Sequence, residues 1–439
     1  MNATAARPLG LWSATALVVG NMIGSGVFLL PAALAPFGAA SLLGWGLSTV
    51  GALLLALIFA DLGRRYPISG GPYAYARLAF GDFAGFVMAW SYWISTWCAV
   101  AAIAVAFAGS MSSLLPAVFT TPARSATCAL AVLWLCTASN IAGVRCAGIV
   151  QLVTTVLKLL PLVAIIAVGA GALEMQSFHP FNPGGDSLLG VTTTTAALAL
   201  WALLGFECAT IPAEHVVDAE RTIPRATMIG VVIAAAVTVG ACTVVLGLVP
   251  LDTLKDSPAP FADAARRLWG NGAAAAMAAA MAVSCVGALN GWILIQGQIP
   301  FAAARDGLFP AIFAKVDKSR TPQIGIVIGS ALATALVVAN FNGSLVSVFT
   351  ASILLATAAV LLPYLVSAAA LWRLEQQALK RAAWRIPVAI LALIYSVWAL
   401  IGTGGEALLW GAGLLLAGVP VYALMQRKPS SAAATPVAS

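Results

Sequence analysis

Runs of about 20 apolar residues follow one another along nearly the whole chain, and they leave few folds open. Coiled as an α-helix, a run of that length matches the hydrocarbon thickness of a bilayer. The stretches lie at residues 11–34, 39–62, 84–112, 125–142, 146–171, 191–213, 224–249, 273–299, 322–341, 345–372, 384–403 and 407–425. Of the 439 residues, 61% are hydrophobic and 8% are charged, a balance that would coat a water-soluble fold in exposed hydrocarbon. The pattern predicts an all-α integral membrane protein of twelve transmembrane helices, forming a single domain over 1–425. A polar tail at 426–439 reads as disordered and cytoplasmic. The polar start, Met1 to Pro8, is short and no small-residue cleavage site follows the first stretch, so no removable signal peptide is expected.

Loop charges check the count independently, because basic residues collect in cytoplasmic loops. With both termini inside, 17 of the 22 Lys and Arg residues fall in cytoplasmic segments, including Arg64, Arg65, Arg77, Arg305, Arg373 and Arg385. The external loops hold Arg124, Lys255, Arg266 and Arg267, and Lys158 lies within a span. The net charge of +7 therefore reports topology rather than nucleic-acid binding. The seven cysteines are scattered through apolar runs without metal-site or disulfide spacing, which reads as packing.

The first span holds Gly20-Asn21-Met22-Ile23-Gly24-Ser25-Gly26 at mid-membrane, and the sixth holds Trp201-Ala202-Leu203-Leu204-Gly205-Phe206-Glu207. Glycine weakens a helix by about 1 kcal/mol relative to alanine, and opened backbone in lipid needs a partner. Spans one and six correspond if the first ten helices form two five-helix repeats, about 11–171 and 191–372, with 384–425 added. An odd repeat inverts its successor, and paired interruptions in inverted repeats point to a central transport site. The bland alternative is close packing through small-xxx-small contacts. Helix polarity gives the site its chemistry. The outward half of span one begins near Gly26 with free N–H groups suited to a carboxylate. The first half of span six ends near Leu204 with free carbonyls suited to an ammonium. An α-amino acid carries both charges on one carbon.

Glu207 is the one acidic residue well inside a span and Lys158 the one central basic residue; both are functional candidates because charge at depth is costly. Glu207 either neutralises a cationic substrate, carries a proton, or hydrogen-bonds a broken helix. Lys158 either substitutes for a bound cation or neutralises exposed carbonyls structurally. Of the aromatic residues at depth, Trp201 beside a break and Trp292 after Asn290-Gly291 are the pocket candidates, since an indole face stacks on a cation.

These residues resemble those of the amino acid, polyamine and organocation transporter superfamily, and most closely its bacterial arginine/agmatine antiporters. The resemblance rests on Gly20 to Pro31, on Ser69-Gly70-Gly71-Pro72-Tyr73-Ala74-Tyr75-Ala76-Arg77, on Leu200 to Glu207, and on Gly297-Gln298 through Phe309-Pro310. It implies a multi-pass protein of the bacterial inner membrane that works by alternating access. It implies that Asn21, Ser25 and Gly26 belong to the substrate site, with Ser25 and Gly26 taking the carboxylate. The carbonyls of Ile23, Trp201 and Leu204 would take the α-ammonium, and Trp292 would stack on the distal cation. Ser95, Thr96 and Ala356 join the same site. Trp201 would form a middle gate, and Tyr92, Glu207 and Tyr364 an outer gating network, with Glu207 also the proton-sensing carboxylate.

The sequence departs from the arginine exchangers at Val100, where they carry Asn, and at Ala356, where they carry Ser. Lys158 is a feature of proton-coupled or sodium-independent permeases. The function expected is exchange of arginine or a related cationic amino acid for its decarboxylated amine. The alternative is a proton-coupled or sodium-independent permease of broad specificity. The partners expected are a small amino acid or amine, protons and the bilayer, with a homodimer left open; nucleic acid, cofactor and metal are not expected. A channel would need polar rings along a pore, and an enzyme a cluster of reactive groups that His179 and His215, both in loops, do not build.

Overall fold

The computed structural model describes residues 9–23, 27–68, 70–142, 147–173, 175–211, 216–316, 321–340, 343–377 and 382–426. Among these residues there is no β-strand, only an isolated bridge between Leu9 and Val216. The first part of the chain folds as α1 (Leu11–Met22), α2 (Leu30–Leu34), α3 (Ser41–Arg65), α4 (Pro72–Phe80), α5 (Asp82–Leu114), α6 (Pro122–Ile141) and α7 (Ala147–Gly169). The second part holds α8 (Leu188–Trp201), α9 (Ala219–Leu248), the short α10 (Leu251–Leu254), α11 (Pro260–Trp269), α12 (Asn271–Arg305), α13 (Gln323–Ala339) and α14 (Leu345–Gln376). It closes with α15 (Arg385–Gly402), α16 (Gly405–Leu416) and α17 (Gly418–Gln426).

Each apolar stretch read from the sequence holds helix. Eight segments among the described residues are long and apolar enough to cross a membrane: Leu30–Arg65, Asp82–Leu114, Leu188–Ala209, Ala219–Leu248, Asn271–Arg305, Leu345–Gln376, Arg385–Gly402 and Gly405–Met425. Leu11–Met22, Lys158–Ala172 and Gln323–Ala339 are shorter apolar helices. The protein is a multi-pass membrane protein.

The helix ends follow local chemistry. Thr121, Ser187 and Ser344 each cap a helix by accepting a backbone N–H into the side-chain oxygen, and Pro72, Pro122 and Pro260 sit in first turns where a missing N–H costs nothing. The loop helices α4 and α11 went unread in the sequence because they are too short for the membrane window. They matter because α11 buries Phe261 edge-on against Phe28, 5.6 Å between ring centroids, and so covers the chain just beyond the break in the first span.

At the centre stands α5, with 89% of its apolar window buried. Its run of small residues from Ala99 to Gly109 lets neighbours approach closely, and the carbonyl of Pro258 lies where a Gly109 side chain would be. Polar side chains then fix α5 to its two main neighbours. Ser91 donates to the Ala359 carbonyl of α14 (2.6 Å), and the Trp93 indole donates to the Gln296 carbonyl of α12 (3.0 Å). In a bilayer such bonds lack water as a competitor, and each contributes on the order of 1 kcal/mol.

Candidate functional site

Two helices break where the glycine clusters predict. The first, α1, stops at Met22: the Ile23 N–H closes on the Val19 carbonyl (2.9 Å), and Ile23 then leaves helical space at φ −81°, ψ 65°. The partner break follows Trp201, where the turn tightens as Leu203 N–H bonds the Leu200 carbonyl (2.8 Å). Gly205 then takes φ +111°, a left-handed conformation that favours glycine, and a short 3₁₀ turn at Phe206–Ala209 follows. The two breaks touch. A side chain on Gly205 would stand 3.1 Å from Asn21 C and Met22 N, so a bare Cα lets the two opened backbones meet without displacement. Beyond them, Val217 N–H bonds the Leu9 carbonyl (3.0 Å), tying the start of α1 to the chain that follows the second break.

A cavity lies against this junction. Eight of the residues expected in the site line it: Asn21, Tyr92, Ser95, Trp201, Leu204, Glu207, Trp292 and Ala356. Met22, Ala99, Ile103 and Val360 complete the wall and were not anticipated. The signal that could have found three of them is helical period. Tyr92, Ser95, Ala99 and Ile103 recur every three or four residues on one face of α5, and Ala356, Val360 and Tyr364 every four on α14. By that period Val100 turns away; it is fully buried and not part of the wall. The enclosed volume is about 30 Å³, room for about one water molecule, so any amino acid needs the walls to move.

The remaining candidates fall elsewhere. Ser25 and Gly26 lie outside the described residues. Ile23 is fully buried and ends α1 without lining the cavity. Thr96 points away as well: its hydroxyl donates to the Trp93 carbonyl of its own helix (2.7 Å), whereas Ser95, bonded in the same way to Tyr92 (2.7 Å), still borders the space.

Glu207, Tyr92 and Tyr364 form one network. The Tyr92 hydroxyl donates to Glu207 Oε1 (2.7 Å) and the Tyr364 hydroxyl to Oε2 (2.6 Å). Phe206 and Phe59 pack on the Tyr364 ring at 5.0 and 5.3 Å, and all three network residues are at most 2% exposed. Among the described residues no ion pair involves Glu207. Lys158, 1% exposed, donates from Nζ to the Gly20 carbonyl. That puts an ammonium at the carbonyl end of α1, where the helix dipole is negative.

A second polar group ties the chain's short loop helix to the end of α12. The Tyr73 hydroxyl donates to Asp306 (3.2 Å), and Arg77 pairs with Asp82 (2.7 Å) and Asp306 (3.6 Å). Burial, and then the Asp306 charge, push the Tyr73 phenol well above its ordinary range, so it stays a donor.

The sequence profile of the family described as "Amino acid permease" matches residues 9–424. The chain belongs to the amino acid permease family. This permease is 33% identical over 461 residues to a Bacillus subtilis (strain 168) protein named "Putative arginine/ornithine antiporter", spanning 95% of this chain and 97% of that one. It is 31% identical over 432 residues to the putrescine transporter PotE of Escherichia coli K12, spanning 97% and 98% of the two chains. To the cadaverine/lysine antiporter of the same strain it is 33% identical over 336 residues, 76% and 75% of the two chains. The permease is thus a transporter of amino acids or amines, with antiporters among its relatives.

Proposed function

We propose that this permease exchanges a cationic amino acid for its decarboxylated amine. The observation that supports this most is the setting of Glu207, a buried carboxylate engaged by two neutral phenols and bordering a cavity walled by two indoles. An anion at that depth without a counter-ion is costly, and a substrate cation relieves the cost. Amino acid and amine both bring that cation, which explains why the carrier returns loaded. The amino acid alone brings an α-carboxylate. Ser25 and Gly26 N–H groups take it, and the carbonyls of Ile23, Trp201 and Leu204 take the α-ammonium.

The chain works as twelve spans over 1–425, two inverted five-helix repeats at about 11–171 and 191–372 with 384–425 added, in a bacterial inner membrane with both termini cytoplasmic. In that orientation Tyr92 is the first of the cavity residues along outward-running α5, and Tyr364 follows those of inward-running α14. The Tyr92–Glu207–Tyr364 network therefore closes the cavity on its cytoplasmic side, not on the outer side expected from the resemblance. Trp201 is the middle gate. Lys158 holds the end of α1 and supplies the positive charge that a metal ion would otherwise bring there.

Arginine with agmatine is one such pair, and the lining argues for a terminal ammonium in its place. A guanidinium presents five N–H donors in a plane, and beyond Asn21, Ser95 and Glu207 the walls are Ala99, Ile103, Ala356 and Val360, which offer it no further side-chain acceptor. An aliphatic chain ending in an ammonium fits those walls, which agrees with relatives named for putrescine, cadaverine and lysine, while the Bacillus relative is named for arginine as well as ornithine. Proteoliposomes loaded with putrescine, cadaverine, agmatine or nothing test the reading: uptake of labelled ornithine or lysine should require an internal amine. Equal uptake into empty vesicles under a pH gradient would establish the broad-specificity, proton-coupled permease instead. Trp292→Leu should weaken binding of cationic substrates about tenfold, within the range of a cation–π contact, and spare small neutral amino acids. Equal loss of both would make Trp292 a packing residue.

A further inference from the structure

A second space opens on the far side of α14 from the breaks, between α13, α14 and α16, and it encloses about 660 Å³. Its walls change character along their length. At one end stand Asn340, Thr403 and the exposed carboxylate of Glu406; the rest of the lining includes Leu336, Leu332, Leu355, Leu414 and Trp97. From Leu332 to Asn340 the helix rises about 12 Å at 1.5 Å per residue, close to the half-thickness of a bilayer's hydrocarbon, about 15 Å. The polar end is therefore at headgroup level and the apolar end near the midplane.

We infer that this groove is a binding site for one phospholipid with a primary-ammonium headgroup, its acyl chain lying along α13 and its ammonium paired with Glu406. Three features carry the assignment. The groove runs from polar to apolar over the length of one leaflet, as an amphiphile does. Its volume far exceeds what one water or a small solute fills, and the groove, open on one side, gives an acyl chain dispersion contacts along its walls. The charge at its mouth is negative, which selects an ammonium over an anionic or glycerol headgroup. The site also adjoins the transport cavity through a single helix, for Leu355 lines the groove while its neighbour Ala356 lines the cavity. The same α14 carries Tyr364 into the Glu207 network. A chain seated behind α14 fills the room into which that helix would otherwise shift.

Native mass spectrometry of the full-length protein, reconstituted in equal phosphatidylethanolamine, phosphatidylcholine and phosphatidylglycerol and then extracted in mild detergent, tests this. Wild type should retain one phosphatidylethanolamine in preference to the others. Glu406→Gln should reduce that preference about threefold, the scale of an exposed ion pair, and Ala351→Trp, which fills the groove, should abolish retention of any lipid. Glu406→Gln, a surface change in the first turn of α16, keeps the proposal testable should the tryptophan variant fail to fold. Unchanged lipid preference in Glu406→Gln, or equal retention in wild type and Ala351→Trp, would overturn the assignment. So would wild type that binds no lipid and runs as a dimer converted to monomer by Ala351→Trp, since the groove would then receive a second copy of the chain.

Discussion

Two groups of buried carboxylates stand in this permease, and their neutralisation differs. Where α3, α14 and α15 end, Asp61 and Glu375 meet Arg65 and Arg385 at 2.9 to 3.1 Å, and the Ala382 N–H also bonds Glu375 (2.6 Å). Asp61 Oδ2 lies near both Nε atoms without hydrogen-bond alignment, while Arg385 donates to Asp61 Oδ1 (3.2 Å) and to Glu375 (2.9 Å), so charge and directed bonds together hold that corner. At the helix breaks Glu207 has phenols and no arginine. A carboxylate whose counter-ions are supplied by the fold has no further need of a cation; one held by neutral donors can take its cation from solution and give it back. The first arrangement suits a fixed joint and the second a transport cycle.

Breaking the first group should have the largest effect on the folded state. Arg385→Met removes the guanidinium shared by Asp61 and Glu375, leaving Glu375 with Arg65 alone and Asp61 with Arg65 and the half-exposed Arg64. The expected loss is about 3–5 kcal/mol, read as a lowered thermal midpoint in detergent, with substrate affinity unchanged in the protein that survives. A loss confined to transport would mean that the joint belongs to the gate.

Glu207→Gln inverts that pattern. The amide keeps the shape and can still accept from one phenol, so stability should hold within about 1 kcal/mol. Affinity for cationic substrates should fall ten- to a hundredfold, the scale of losing a charged partner, and the pH profile of exchange should flatten. An unchanged pH profile would remove Glu207 from the proton hypothesis, and a large drop in stability would return it to the structural class of Asp61. A third variant is Gly205→Ala, whose Cβ would meet the backbone of Asn21 and Met22 at 3.1 Å in a left-handed conformation. About 1–3 kcal/mol of strain is expected, with transport slowed because the two breaks can no longer meet; wild-type exchange would show that the junction is not needed.

Much of this arrangement was legible before any coordinates. Hydrophobic runs of bilayer length gave the helices, and glycine with an intramembrane carboxylate gave the breaks, because lipid penalises both without a local reason. The joint at Asp61, Glu375 and Arg385 escaped the reading. Its members are more than 300 residues apart in part, and charges at helix ends are ordinary in a sequence. They become a network only when three helix ends converge. The cavity wall was read in part, for a different reason: polar and aromatic residues advertise themselves, whereas Ala99, Ile103 and Val360 look like every other residue facing lipid or a neighbour. The lipid-side groove was invisible because it exists only between helices.

The sharpest test of how far residue type alone identifies a site is Thr96, a hydroxyl of α5 one residue from Ser95. Both donate to a carbonyl within their own helix at 2.7 Å, so neither offers its proton to a substrate without giving up that bond. Ser95 borders the cavity and Thr96 does not, since one residue turns a side chain about a quarter of the way round a helix. Thr96→Val keeps the β-branched shape and removes one intrahelical hydrogen bond, a change of about 1 kcal/mol in stability. The affinity of every substrate should stay within about twofold, because no contact with the cavity is lost, while Ser95→Ala widens the wall by one oxygen and should shift the preference toward longer chains. If Thr96→Val instead weakened one cationic substrate more than another, α5 would have to rotate during the cycle and bring Thr96 to the wall.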